Sequence, residues 1–143
     1  MIIKQISVFV ENRPGRLCFI TKLLKDNEID IRALSIADTK DFGILRLIVN
    51  NPVKAREVLE AADCRVLQTN VIAIGISDKP GALADALKIL YDNNISVEYM
   101  YAFISKTDDI AYVILRVDNN DRAAEALQEN GVKLLTAEDI YSM

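Results

Sequence analysis

The chain has 143 residues, 51% of them hydrophobic and 27% charged, with a formal net charge of −4. That length suits one ordinary domain or two small ones. The acidic balance, with no long run of one sign, argues against binding to nucleic acid or to a membrane surface, because both favour a basic patch. The sequence has no histidine and two cysteines, which removes the commonest general base and metal ligand and any disulfide framework of a small secreted protein.

Met1 leads directly into a strand pattern, so no secretory leader is expected. No apolar run approaches the roughly 18 residues of a membrane span, and the expected location is the cytoplasm. Cys18 falls in a helical pattern and Cys64 opens a strand, without CxxC spacing. Both are expected to be small core residues in a reducing compartment.

In chain order, Ile2, Ile6, Val8 and Val10 alternate with Gln5, Ser7 and Phe9, the two-residue period of a strand. Pro14-Gly15 breaks the strand. Proline suits a helix start, where its missing N–H has no partner to lose. From Gly15 to Asn27, Leu17, Ile20, Leu23 and Leu24 form an apolar stripe near helical spacing. A second strand is predicted over Asp30–Asp38, a polar turn at Thr39-Lys40-Asp41, and a third strand over Gly43–Val49. Asn51-Pro52 reads as a cap and first helical residue, and Ala55, Val58, Leu59 and Ala62 mark the inner side of a second helix. A fourth strand is predicted over Cys64–Thr69.

The same order then recurs. Asn12-Arg13-Pro14-Gly15-Arg16-Leu17 returns as Asp78-Lys79-Pro80-Gly81-Ala82-Leu83, 66 positions later (78 − 12). Leu24 matches Leu90, Asn27 matches Asn93 and Ile29 matches Ile95; after a two-residue insertion Val49 matches Val117 and Leu59 matches Leu127, at an offset of 68. In the second copy strands are predicted over 70–77, 96–105, 110–117 and 132–138, with helices over 81–93 and 120–130. A repeat of this length implies two copies of one structural unit.

The expected domains are residues 1–69 and 70–143, each βαββαβ, with scarcely any linker at Gln68-Thr69-Asn70. Ile6, Val8 and Val10 correspond to Ile72, Ile74 and Ile76, so one face of each antiparallel sheet should carry both helices. The fold class is α+β, two ferredoxin-like units side by side. A unit of about 70 residues buries only about 60% of its unfolded surface and is marginal alone, which favours a shared interface between the two.

No catalytic constellation emerges. GxSxG, P-loop and GxGxxG motifs are absent. Asp108-Asp109 and Glu138-Asp139 read as solvated charges, with no neighbour to push one pKa upward. No enzyme activity, metal or cofactor is expected.

The strand–turn–helix loop remains, and it occurs twice. At a helix start several backbone N–H groups lack helical partners and the dipole adds partial positive charge, which favours a carboxylate. Gly15 and Gly81 permit close backbone approach. Asn12 and Asp78 are placed to accept hydrogen bonds from an ammonium group. A zwitterionic amino acid supplies both charges. A Pro-Gly turn is by itself also an ordinary turn, and duplication copies turns as readily as sites.

The βαββαβ order, the (Asn/Asp)-(Arg/Lys)-Pro-Gly-x-Leu turn and the Asn-(Glu/Asn)-Ile-x-(Ile/Val) entry to the second strand resemble ACT domains. These are small regulatory modules that bind amino acids and control enzymes of amino-acid metabolism. The resemblance covers the whole chain and implies a stand-alone pair of ACT domains with an amino acid bound at their interface. The implied ligand-binding positions are Asn12, Arg13, Pro14, Gly15, Arg16 and Leu17 in one copy and Asp78, Lys79, Pro80, Gly81, Ala82 and Leu83 in the other.

Glu11-Asn12-Arg13-Pro14-Gly15 is especially similar to the turn of the serine-sensing ACT domain of phosphoglycerate dehydrogenase. A further contact of that relative, 18 residues beyond the turn and on the neighbouring domain, falls at Asp30 (12 + 18) or Ser96 (78 + 18). Its turn histidine is replaced here by Val10 and Ile76, so the resemblance carries the amino-acid class and not serine itself. The implied partner is a regulated enzyme.

Another reading is an assembly module without its own ligand, resembling the regulatory subunit of acetolactate synthase. A free edge strand also invites pairing into a homodimer. Tyr99, Tyr101 and Phe103 replace Ala33, Ser35 and Ala37 of the first copy; they either line a side-chain pocket or pack against the helices or the other domain.

Overall fold

The structure is a computed structural model, and it describes residues 1–38, 41–104 and 109–143. Thr39 and Lys40 of the predicted first turn, Ser105 at the end of a predicted strand, and Asp108 lie outside the described residues. The chain forms two compact units, Lys4–Thr69 and Asn70–Met143, the latter also including Met1–Ile3.

In the first unit β1 (Ile3–Glu11) leads into α1 (Arg16–Asp26), β2 (Ile31–Asp38), β3 (Phe42–Val49) and α2 (Pro52–Ala61). β3 lies between β2 and β1, antiparallel to both, with Leu45 opposite Ile36 on one side and Val8 on the other. The period-two pattern of β1 is expressed as expected: Ile6, Val8 and Val10 pack with Leu45 and Leu47 of β3, Ile20 and Leu24 of α1, and Ala55 and Leu59 of α2. Each such leucine or isoleucine, fully withdrawn from water, contributes roughly 1.5–3 kcal/mol.

The second unit repeats the plan with α3 (Ala82–Asp92), β5 (Val97–Ala102), β6 (Ile110–Val117), α4 (Asn120–Glu129) and β7 (Lys133–Leu134). Its first strand is the end of β4 (Val66–Ser77), a single strand where two had been predicted to meet at Gln68-Thr69-Asn70. All pairs are again antiparallel. Ile72, Ile74, Val113 and Leu115 pack under Ala86 and Leu90 of α3 and Ala123 and Leu127 of α4.

Both sheets also carry buried residues on the face away from the helices. In the first unit these are Gln5, Ser7, Ala33 and Ile48, and in the second Val71, Ala73 and Ile114. The Gln5 amide donates to the Ser7 hydroxyl at 3.0 Å, so the pair meets part of its own polar demand.

The helix ends explain the boundaries. α2 starts where the Asn51 side chain accepts from the Lys54 amide at 3.1 Å, and α4 where Asn119 accepts from Arg122 at 3.1 Å. All four of these longer helices stop in the same way. The amide of Ile29 bonds the carbonyl of Leu24 at 2.9 Å, Cys64 bonds Leu59 at 3.0 Å, Ile95 bonds Leu90 at 2.9 Å and Val132 bonds Leu127 at 2.9 Å. This is the six-to-one bond of a Schellman motif, which needs a left-handed residue just before the donor. Glu28, Asp63, Asn94 and Gly131 fill that position with φ of 57°, 62°, 55° and 78°.

Two expectations are corrected. Cys64 is buried but Cys18 is exposed. The buried stripe of α1 runs through Ile20 and Leu24, and position 18 is out of phase with it. The predicted strand over 132–138 shrinks to Lys133–Leu134, followed by a short helix, α5 (Ala137–Tyr141). Thr136 and Asp139 form a capping box: the Thr136 hydroxyl accepts from the Asp139 amide at 3.1 Å, and the Asp139 carboxylate accepts from the Thr136 amide at 2.8 Å. Asp139 is thus half of a helix start and not only a solvated charge. The Thr136 amide holds its carboxyl below the usual range.

Candidate functional site

The two turns have the same construction. Lys79 and Arg13 each donate their amide to the carbonyl two residues back, Ser77 and Glu11, at 2.9 Å in both cases. Gly15 and Gly81 then take the helix N-cap position in left-handed conformation, φ 88° and 92°, with no side chain capping either helix. Phe19 and Asp85 supply the first returning bonds, to the carbonyls of Gly15 at 2.9 Å and Gly81 at 3.0 Å. A Cβ added at either glycine would meet nothing within 4 Å. Glycine is therefore required by the backbone angle and not by lack of space, and the surface beside each turn is open to a ligand.

At the first turn a crevice of about 90 Å³ opens between the start of α1 and the tips of β2 and β3. Glu11, Asn12 and Arg13 form its polar wall, and Val10, Leu17 and Ile36 its apolar wall. Asp38 and Gly43 complete the rim where β2 meets β3. The Arg13 guanidinium pairs with Glu11 at 2.9 Å. Leu17, predicted on the buried stripe of the helix, is instead 42% exposed, because it faces this crevice.

Arg16 turns elsewhere. Its guanidinium lies 5.1 Å from the Phe19 ring centre and close enough to Cys64 for its charge to oppose the upward push of burial on that thiol. Among the described residues Arg16 Nε is buried without a hydrogen-bond partner. Arg16 does not line the crevice, and neither do Pro14 and Gly15.

Asp30 lies elsewhere in the first unit. It lines a separate groove with Thr21, Lys25 and Glu28, and its carboxylate is held by Arg32 at 2.6 Å. Its backbone is braced by Asn50: the Asp30 amide donates to Asn50 Oδ1 at 2.9 Å, and the Asn50 amide returns to the Asp30 carbonyl at 3.1 Å. Ser96 repeats this brace with Asp118, at 3.2 Å in both directions. In the first unit, then, the turn and the residue 18 positions on line different cavities; the backbones of Asp30 and Ser96 tie the entry of the second strand to the loop after the third.

Five lining residues were missing from the sequence-derived set: Val10, Glu11, Ile36, Asp38 and Gly43. Their signal was faint. Each lies at a strand end near the turn, and only strand register brings them together. The rings of Tyr99, Tyr101 and Phe103 fall on the sheet face away from the helices, since Tyr101 lies opposite Ile114 while Met100 lies opposite the core residue Leu115. Tyr99 stacks along Tyr101 at 6.5 Å, and Phe103 meets Tyr112 edge-on at 5.7 Å. They neither pack against the helices of their unit nor face the helix side, where its turn lies. Among the described residues no group of three or more His, Cys, Asp or Glu is placed to hold a metal, and no helix is long and apolar enough to cross a membrane.

None of the curated proteins matches the chain. Among solved structures it is similar to protein BT0572 from Bacteroides thetaiotaomicron, at 40% identity and a TM-score of 0.93 over 100% of this chain and 98% of that one. In fold it is similar to the ligand-free regulatory subunit of aspartate kinase from Thermus thermophilus, at 14% identity and a TM-score of 0.64, covering 88% and 90% of the two chains. Aspartate kinase from Synechocystis shares the fold at 20% identity and a TM-score of 0.60, over 89% of this chain and 25% of the enzyme. The family described as an ACT domain pair matches residues 1–143. With both strand–turn–helix loops and both βαββαβ units in place, the chain belongs to the ACT domain family as an ACT domain pair.

Proposed function

We propose that this ACT domain pair is a non-catalytic amino-acid sensor that regulates a partner enzyme. The observation that carries the reading is the crevice at the first turn, where a helix start, an apolar wall and side chains of both charge signs converge. The ligand carboxylate meets turn amides at the start of α1, where the helix dipole favours negative charge. The ammonium meets the Asn12 side chain and the neighbouring carboxylates. Asp78 and Gly81 to Leu83 are the corresponding candidates in the second unit.

A ligand shifts a regulatory equilibrium only as far as its affinities for the two states differ, so the output requires a partner that distinguishes those states. The similarity in fold to a regulatory subunit of aspartate kinase supports a partner of that kind, an enzyme of amino-acid metabolism.

Thermal unfolding against each of the twenty amino acids at millimolar concentration tests the reading. A ligand at a hundred times its dissociation constant adds about 2.7 kcal/mol, an easily measured rise in Tm. One clear stabiliser is expected, and the double variant Asn12→Ala, Asp78→Ala should lose the response. If none of the twenty stabilises the chain, the sensor reading gives way to a ligand-free assembly module.

A further inference from the structure

We infer that the chain binds a single small amino acid, in the crevice of the first unit, with Asp38 as the counter-ion of its ammonium, and that the matching place in the second unit is not a ligand site. This rests on the amino-acid-binding reading and adds occupancy, ligand size and a recognition residue.

Strand register establishes which residues correspond. Gly43 pairs with Val10 and Ala111 with Ile76, so Gly43 and Ala111 hold one address. Ile36 and Ala102 hold another, each opposite the β-strand residue, Leu45 or Val113, that pairs in turn with Val8 or Ile74. Two positions on, Asp38 corresponds to Ile104, and at the turn Glu11 corresponds to Ser77. Neither Glu11 nor Asp38 has a carboxylate counterpart in the second unit, whose turn has instead Asp78 at the Asn12 address, and a methyl group appears where Gly43 leaves space.

The turn amides differ as well. The Asp78 amide donates to the Asp109 carbonyl at 2.9 Å, whereas the Asn12 amide makes no such bond among the described residues. That donor is consumed by the fold in the second unit. The apolar walls follow the same division. Leu17 and Ile36 are 42% and 49% exposed, while Leu83 packs against the second core.

Charge and size narrow the ligand. Glu11 is already paired with Arg13, which leaves Asp38 as the carboxylate for an incoming ammonium. A crevice of about 90 Å³ is far below the roughly 300–1,000 Å³ of sites for drug-sized ligands. It suits an α-amino acid with a short uncharged side chain, such as glycine, alanine or serine.

Titration calorimetry of the full chain with glycine, alanine and serine, and with leucine as the large comparison, tests the inference. One ligand per chain is expected for at least one of the small three, with leucine at least tenfold weaker. Asp38→Asn should weaken binding at least tenfold with little change in Tm. Gly43→Ala should do the same, because the added methyl would sit 3.6 Å from the Ala37 carbonyl oxygen, an ordinary contact that the fold accepts. Ile104→Asn should leave affinity and stoichiometry unchanged. Two ligands per chain or full affinity in Asp38→Asn would overturn the inference while leaving amino-acid sensing in place. Absence of binding by all twenty amino acids would overturn both.

Discussion

Leu59 in the first unit and Leu127 in the second stand 68 positions apart in sequence and do the same work. Each is fully buried, and each offers the carbonyl that ends its helix. Gly43 and Ala111 also stand 68 positions apart at one strand address, yet one borders an open crevice and the other brings an extra methyl. The two units have kept their helix-facing cores and diverged at the tips of their sheets. A close-packed interior registers even one methylene, so copies of a core are held to similar shapes. A crevice at a loop carries no such constraint, and its charges can be placed differently in the two copies without loss of fold.

The comparison can be broken most directly in the cores. Leu59→Ala and Leu127→Ala should each cost about 2–5 kcal/mol, measured by urea unfolding at pH 7. Costs that differ by more than that range would show that the two cores are not equivalent. Next come the turns: Gly15→Ala and Gly81→Ala force an alanine to φ near 90°, and each should cost about 1–2 kcal/mol. A large difference between the two would mean that one turn has room to change conformation.

Thr136→Ala tests an element that only the second unit has. Loss of this cap should cost about 1 kcal/mol at pH 7. Because Thr136 keeps the Asp139 carboxyl below its ordinary range, the stabilisation is complete above that range and disappears as pH falls through the lowered folded value. The gap between wild type and variant should therefore narrow from pH 7 to pH 3; a constant gap would deny Asp139 its part in the cap. The smallest effect is expected at the helix ends. Asp63 and Gly131 share one address, both left-handed, so Asp63→Gly should stabilise by less than about 1 kcal/mol, the strain relieved being partly offset by the freer unfolded chain. A destabilised variant would show that the Asp63 side chain has a role of its own.

Much of this was legible in the sequence. The alternation of Ile6, Val8 and Val10, the stripe of Ala55 and Leu59, and the Asn51-Pro52 helix start each rest on near-neighbour physics, and the structure expresses them directly. Cys18 was misplaced because a helical stripe spans only part of the helix circumference, and one residue out of phase faces solvent. α5 was missed although Thr136 and Asp139 have the spacing of a capping box, since the apolar pair Leu134-Leu135 before it reads as the middle of a strand.

The sequence by itself determined the duplication, the order of elements and the two glycine turns, because repeats, periodicity and left-handed positions are properties of residues close along the chain. Only the tertiary structure decided which residues surround each turn. Val10, Ile36, Asp38 and Gly43 come together through the register of three strands separated along the chain by a helix and a loop. Register depends on pairings between distant segments, which no local pattern encodes. The same pairings reveal that the second unit places Ala111 where the first has Gly43.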